Sequence, residues 1–180
     1  MEKQVVFYSD GDYLGVMRRL LIDGVDTFVA IAASWLVWLM ARTLAPERYS
    51  ALIWLSACTG VFFAYFVVLK GSRFRTLGYM LAGAQIVSLN GQRPSYATLL
   101  GRLCFVVLGP VNFVFDLLWV SSDPRRQALR DKLAHTYVVR RTAVPAGEGR
   151  LVYGTYMVFG WTILCAEVKS DYPSAVPNHP

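Results

Sequence analysis

Arg19, Asp23 and Asp26 stand at spacings i, i+4 and i+7, which places all three on one face of a helix. Asp26 lies one turn beyond Asp23 and closer to a long apolar run. An isolated carboxylate in hydrocarbon costs about 2.5 to 3.5 kcal/mol, so the pattern predicts that Asp26 faces protein and a cation. Arg19 can reach Asp23 directly, and acids in the first turns also suit a helix N-terminus. Two kinds of chemistry follow. A buried Arg–Asp site can exchange a proton or coordinate a cation; alternatively, the charges form an ion-pair network that locks the first helix to basic loops. Their place near a helix end favours the lock, whereas a mid-membrane pair would favour exchange. Further charged candidates are Arg18, Asp116, Asp123, Asp131 and His135.

The elements that must position these residues are apolar blocks. From Leu20 to Met40 the chain offers about 21 residues, or about 31 Å of helix, enough to cross a bilayer core. Ala51 to Leu69 carries no charge and forms a second span. Leu103 to Val120 is a third hydrophobic segment, broken by Gly109-Pro110 and bearing Asn112 and Asp116. Leu151 to Ala166 reads as a fourth, C-terminal transmembrane helix. Glu2, Asp10 and Asp12 precede the first block and no small-residue cleavage site closes it, so it reads as a retained helix and not a signal peptide.

Between the blocks, Ala41 to Ser50 is short and makes the first two spans an antiparallel hairpin. The stretch AQIVSLNGQRPSY carries an Asn90-Gly91 turn signal and predicts a small surface β-turn element. Pro124 to Leu133 reads as a short surface helix with Asp123 as N-cap and Pro124 at its first position, and Thr136 to Arg140 as strand-like. The domain reading is an N-terminal cytoplasmic segment over 1–12, a membrane domain over 13–141, a linker and transmembrane helix over 142–169, and a disordered tail over 170–180.

Charge orients these pieces. Twelve of the eighteen Lys and Arg residues lie in the two long loops, 70–102 and 121–150, and Arg18 and Arg19 precede the first span. The positive-inside rule puts all three groups in the cytoplasm; the expected location is a bacterial inner membrane. A full crossing by the third segment would put the second basic loop outside. Either the Gly109-Pro110 break turns the segment back as a re-entrant pair, or a kinked helix crosses against the charge rule; the charge favours the re-entrant form.

Composition agrees. The 180 residues are 55% hydrophobic and 17% charged, against roughly 25% charged in a soluble domain, with a net charge of +6. That hydrophobicity excludes a disordered chain. Three scattered cysteines exclude a disulfide scaffold and offer no paired zinc spacing. Two histidines and the absence of Gly-rich phosphate loops, Gly-x-Ser-x-Gly and His-Glu-x-x-His argue against an enzyme and imply no cofactor. The basic loops lack an aromatic-interleaved platform, so nucleic acid is not an expected partner. Anionic headgroups are, because juxtamembrane Lys and Arg attract them.

Tyr13-Leu-Gly-Val-Met-Arg-Arg19, followed by Asp26, resembles the opening Tyr-Ala-Gly-Phe-Trp-Arg-Arg and first-helix Asp of the RDD family of membrane proteins, named for one Arg and two Asp. Arg75-Thr76-Leu77-Gly78 is similar to that family's Arg-Thr-x-Gly turn, with Tyr79 where Lys is usual. Asp123-Pro-Arg-Arg-Gln-Ala-Leu-Arg-Asp131-Lys-Leu-Ala resembles its closing motif, in which Arg130 replaces a frequent His and His135 stands where Gly is common. The resemblance covers roughly Tyr13 to Arg141. It implies Arg19, Asp26 and Asp131 as the functional charge cluster, with Arg18, Asp23, Asp116, Asp123 and His135 as secondary candidates. The expected fold is an all-α membrane protein. The expected function is a non-catalytic membrane module that meets partner proteins, further copies of itself or anionic lipid. The alternative is a small oligomeric cation/proton translocator, the activity proposed for some members of the family.

Overall fold

A computed structural model describes residues 5–44, 46–158 and 161–170. The chain forms β1 (Val5–Phe7), a 3-10 turn, α1 (Val16–Leu44), α2 (Glu47–Phe63) with a π-helical extension (Ala64–Leu69), α3 (Leu77–Leu81), β2 (Ala84–Ser88), α4 (Tyr96–Leu108), α5 (Pro110–Ser122), α6 (Leu129–Leu133), β3 (Thr136–Arg140), β4 (Gly147–Val158) and β5 (Trp161–Ser170).

The two long helices follow from uninterrupted apolar sequence. α1 has 29 residues, or about 44 Å, and α2 with its extension has 23; both are long and apolar enough to cross a membrane. They pack antiparallel. The Trp54 indole N–H donates to the Ser34 carbonyl (3.2 Å), Ser34 Oγ meets Cys58 Sγ (3.3 Å), and the Tyr65 hydroxyl donates to Asp26 (2.9 Å), so contacts step down α1 as they step up α2. Outward, α1 leaves Phe28, Ile31 and Trp35 between 63% and 73% exposed, a surface that water would penalise and lipid would not.

The third hydrophobic segment is two helices. α4 ends at Gly109, whose φ of −146° and ψ of 94° break the helical path, and α5 starts at Pro110. Asn112 spans the break: its side-chain amide donates to the Phe105 carbonyl (2.8 Å), satisfying an acceptor that the interrupted helix leaves free. Arg102 on α4 and Asp116 on α5, equally far from Gly109, reach neighbouring residues of α6. The two halves therefore converge on α6.

Three expectations are corrected. The fold is not all-α, and the Leu151–Ala166 block is not a fourth transmembrane helix. It is the antiparallel hairpin β4–β5, with Leu151 paired to Val168 and Tyr153 to Ala166, and β1 adds to β4. The block is rich in β-branched and aromatic residues (Val152, Tyr153, Thr155, Tyr156), which pack better on a pleated surface than in a helix. The Asn90-Gly91 turn forms, with Gly91 at φ 77°. β2, which leads into that turn, pairs with β3, Ile86 opposite Val138. Finally, α6 starts at Leu129 and not at Pro124, because Asp123 Oδ2 accepts from the amides of Arg125 (3.2 Å) and Gln127 (3.0 Å), and Arg126 takes a left-handed φ of 51°. The tail expected to be disordered lies, but for Ser170, outside the described residues.

β3 links two cores by simple alternation. Tyr137 and Val139 face the cluster of Tyr8, Tyr13, Ala166 and Val168, while Val138 faces Leu14, Ile22, Val67, Tyr79 and Leu99. The second cluster ties the start of α1 and the end of α2 to this surface layer.

Candidate functional site

Arg130, Asp131 and Lys132 are consecutive on α6, and successive residues of a helix point about 100° apart, so the three charges face three directions. Each meets a different set of partners.

Asp131 is fully buried and bridges two arginines. Arg19 Nη1 lies 2.6 Å from its Oδ2, and Arg102 Nη1 contacts its Oδ1 and the Thr136 hydroxyl. The Ala128 amide donates to Oδ2 as well (3.2 Å). Burial by itself raises the Asp131 carboxyl, but Arg102, Arg19 and Arg130 outweigh it and hold the group well below the usual carboxylate range. Arg19 spends its other donors on the backbone, Nε to the Leu14 carbonyl (3.2 Å) and Nη2 to the Arg126 carbonyl (2.7 Å). One guanidinium thus fastens the entry of α1 to the α5–α6 loop.

Arg130 turns the other way. Its Nη2 reaches Asp23 (3.0 Å), its Nε reaches Asp116 Oδ2 (2.9 Å), and its amide donates to Asp116 Oδ1 (2.9 Å). Lys132 Nζ pairs with Asp123 (2.6 Å) and Glu167 (3.0 Å) and lies 4.6 Å from the centre of the Tyr156 ring. The hydroxyl of Tyr156 bonds to Glu167 in turn. Five residues of helix therefore hold α1, α4, α5, the α5–α6 loop and β5 together.

Asp26 forms a second, separate arrangement. Its Oδ2 accepts from the Thr76 hydroxyl (2.7 Å), and its Oδ1 from the Gly78 amide (2.8 Å) and the Tyr65 hydroxyl (2.9 Å). The Arg-Thr-x-Gly turn is the matching half of this contact. Thr76 supplies the hydroxyl, and Gly78 must lack a side chain because a Cβ there would sit 2.4 Å from the Ile22 carbonyl oxygen and 2.8 Å from Asp26 itself.

Of the expected cluster, then, Arg19 and Asp131 meet, and Asp26 is apart from them. The cation expected beside Asp26 is replaced by neutral donors, which satisfy a carboxylate without the cost of burying a second charge. Asp23 pairs with Arg130 and not with Arg19. Asp116 and Asp123 belong to the α6 network. Arg18 is exposed and borders a shallow cavity with Arg126 and Arg140. His135 is exposed in the α6–β3 turn at φ 53°, the left-handed region in which glycine is at ease. Arg102, Thr76, Tyr65, Tyr156 and Glu167 were not foreseen. Thr76 lies inside the Arg-Thr-x-Gly motif, whereas Tyr156 lies within, and Glu167 directly after, the block that reads as a helix.

A cavity of about 210 Å³ opens between α1, the end of α2 and α4. Phe62, Phe66, Leu103 and Val106 form its apolar wall, and Asp23, Asp26, Lys70, Arg102 and Arg130 its polar end. The described residues include no group of three or more His, Cys, Asp or Glu able to hold a metal ion.

A family model of the RDD proteins matches residues 13–135. The chain belongs to the RDD family. With two helices of membrane-crossing length and composition, this RDD protein is an integral membrane protein. The matched region holds Arg19, Arg102 and Asp131 with their contacts with one another, and Asp26 with its own donors; the β4–β5 hairpin that grips Lys132 lies beyond it. No curated protein and no solved structure matches the chain.

Proposed function

We propose that this RDD protein is a non-catalytic membrane module whose basic, cytoplasmic face engages anionic lipid, a partner protein or further copies of the chain. The observation that carries this reading is the mutual pairing around α6. Arg19, Arg102 and Asp131, then Asp23, Asp116 and Arg130, use their charges on one another in buried or half-buried contacts. Breaking such a pair costs several kcal/mol, so these groups act as a lock between membrane helices and surface layer and not as a proton relay. The break at Gly109 and the convergence of α4 and α5 on α6 support a re-entrant pair that leaves Arg18, Arg126, Arg140 and the other loop arginines on one side, the cytoplasmic face by the positive-inside rule, in a bacterial inner membrane.

A second reading, a cation/proton translocator, is favoured by one feature: Asp26 borders the cavity and is held by neutral donors, with no direct ion pair to displace. Everted vesicles with a pH-sensitive dye separate the two. The module reading expects no dequenching with sodium, lithium or potassium, and no change with Asp26→Asn. Dequenching that Asp26→Asn abolishes replaces it with the translocator.

A further inference from the structure

We propose that a cavity between the end of the second span and β2 binds the phosphate of an anionic lipid headgroup through Lys70, Arg75 and Arg93. The proposal rests on the module reading above and narrows it from a basic face to one site.

The cavity has a volume of about 250 Å³, and its lining includes three cations and neither Asp nor Glu. Lys70 follows Leu69 directly, the last residue of the α2 span, so the cavity opens at the depth where headgroups lie. Arg75 is held in place for this task. Its backbone sits at φ 60°, a conformation costly for a long side chain, and its guanidinium is anchored by the Ala84 carbonyl (3.2 Å) and Gln85 Oε1 (3.1 Å). Those bonds use two of five N–H donors, and the planar fork suits a phosphate. No carboxylate lines this wall; Asp23 and Asp26 act on Lys70 only from the neighbouring cavity. Burial, then Arg141 and Arg93, lowers the Arg75 guanidinium; burial, then Arg130 and Arg102, pushes the Lys70 ammonium down to about 8. A bound anion relieves both.

Lys70 lines both this cavity and the polar end of the cavity between α1, the end of α2 and α4. Its Nζ lies 4.9 Å from the Tyr79 ring centre and 5.8 Å from that of Phe66; Tyr79 lines the first cavity and Phe66 the second. Beyond that charged end the same recess has an apolar wall of Phe62, Leu103 and Val106, where a lipid with its phosphate at Lys70 can lay a chain. Free phosphate uses only the first half of that arrangement.

The test is native mass spectrometry of the full chain in mixed micelles of phosphatidylglycerol or phosphatidylcholine, with inorganic phosphate as competitor. The expected result is preferential retention of phosphatidylglycerol, reduced about thirtyfold in Lys70→Gln/Arg93→Gln, as the loss of two charges implies. Melting in phosphatidylcholine checks that the variant is folded. If it is not, Arg93→Gln alone, at an exposed position, carries the test with about a fivefold reduction. Undiminished phosphatidylglycerol retention in the folded variant overturns this site and leaves the basic-face reading standing. No preference for phosphatidylglycerol in the unaltered protein overturns this site and strikes anionic lipid from the basic-face reading, leaving protein partners and further copies of the chain. Complete displacement by equimolar inorganic phosphate assigns the cavity to a free anion and overturns the lipid.

Discussion

Arg19 and Asp131 are 112 residues apart in the chain and 2.6 Å apart in space. Both are buried, and Arg102 contacts the same carboxylate from the opposite oxygen, so Asp131 joins the start of the first membrane helix to the middle of α4. The family's characteristic arginine and second aspartate are two ends of one fastener. Its first aspartate belongs to another: Asp26 receives the Thr76–Gly78 turn that follows the second span.

Removing one end of a buried pair strands the other charge. Asp131→Asn leaves Arg19 and Arg102 facing a neutral amide, and should cost about 3 to 5 kcal/mol. Thermal unfolding in detergent, followed by tryptophan fluorescence, measures it. A loss below about 1 kcal/mol, the range of an exposed pair, would show that the network carries little of the fold.

The pH response follows from the same carboxylate. The Asp131 group is depressed in the folded protein, so its contribution is complete above the unfolded value of about 4 and is lost progressively as pH falls below it. The melting temperature should therefore drop below about pH 4, and more steeply in the unaltered protein than in Asp131→Asn. Parallel curves would assign the acid sensitivity to other groups.

Gly78 sits where α3 touches α1. Gly78→Ala places a methyl group 2.4 Å from the Ile22 carbonyl oxygen, which must move, and overpacking of this kind costs about 1 to 3 kcal/mol. Gly24→Ala, on an exposed helical position with nothing within 4 Å, should instead stabilise by up to about 1 kcal/mol. Equal responses from the two variants would contradict the tight approach.

His135 pays a conformational cost at φ 53°. His135→Gly should raise stability by about 1 kcal/mol, less any entropy gained by the unfolded chain, and leave lipid retention and ion flux unchanged. A fall in either activity would restore a chemical role to the imidazole.

Topology is open to direct labelling. In a Cys104→Ser background, Ser122→Cys should react with an impermeant maleimide only from the cytoplasmic side, and Thr43→Cys only from the opposite one. Reaction of Ser122→Cys from outside would make the α4–α5 pair a full crossing.

Much of this architecture is written in local pattern. Apolar runs long enough for a bilayer mark α1 and α2, Gly109-Pro110 marks the break between α4 and α5, and the family motifs mark Arg19, Asp26 and Asp131, because each depends on the identity of neighbouring residues alone. Tertiary structure decided the rest. A 16-residue apolar block suits helix or strand equally by hydropathy, and β4–β5 is a hairpin because its strands pair with each other and with β1. Periodicity put Arg19, Asp23 and Asp26 on one face, yet the three have different partners. Which charge an aspartate meets depends on chain far away in sequence, and spacing along one helix carries no information about what folds against it.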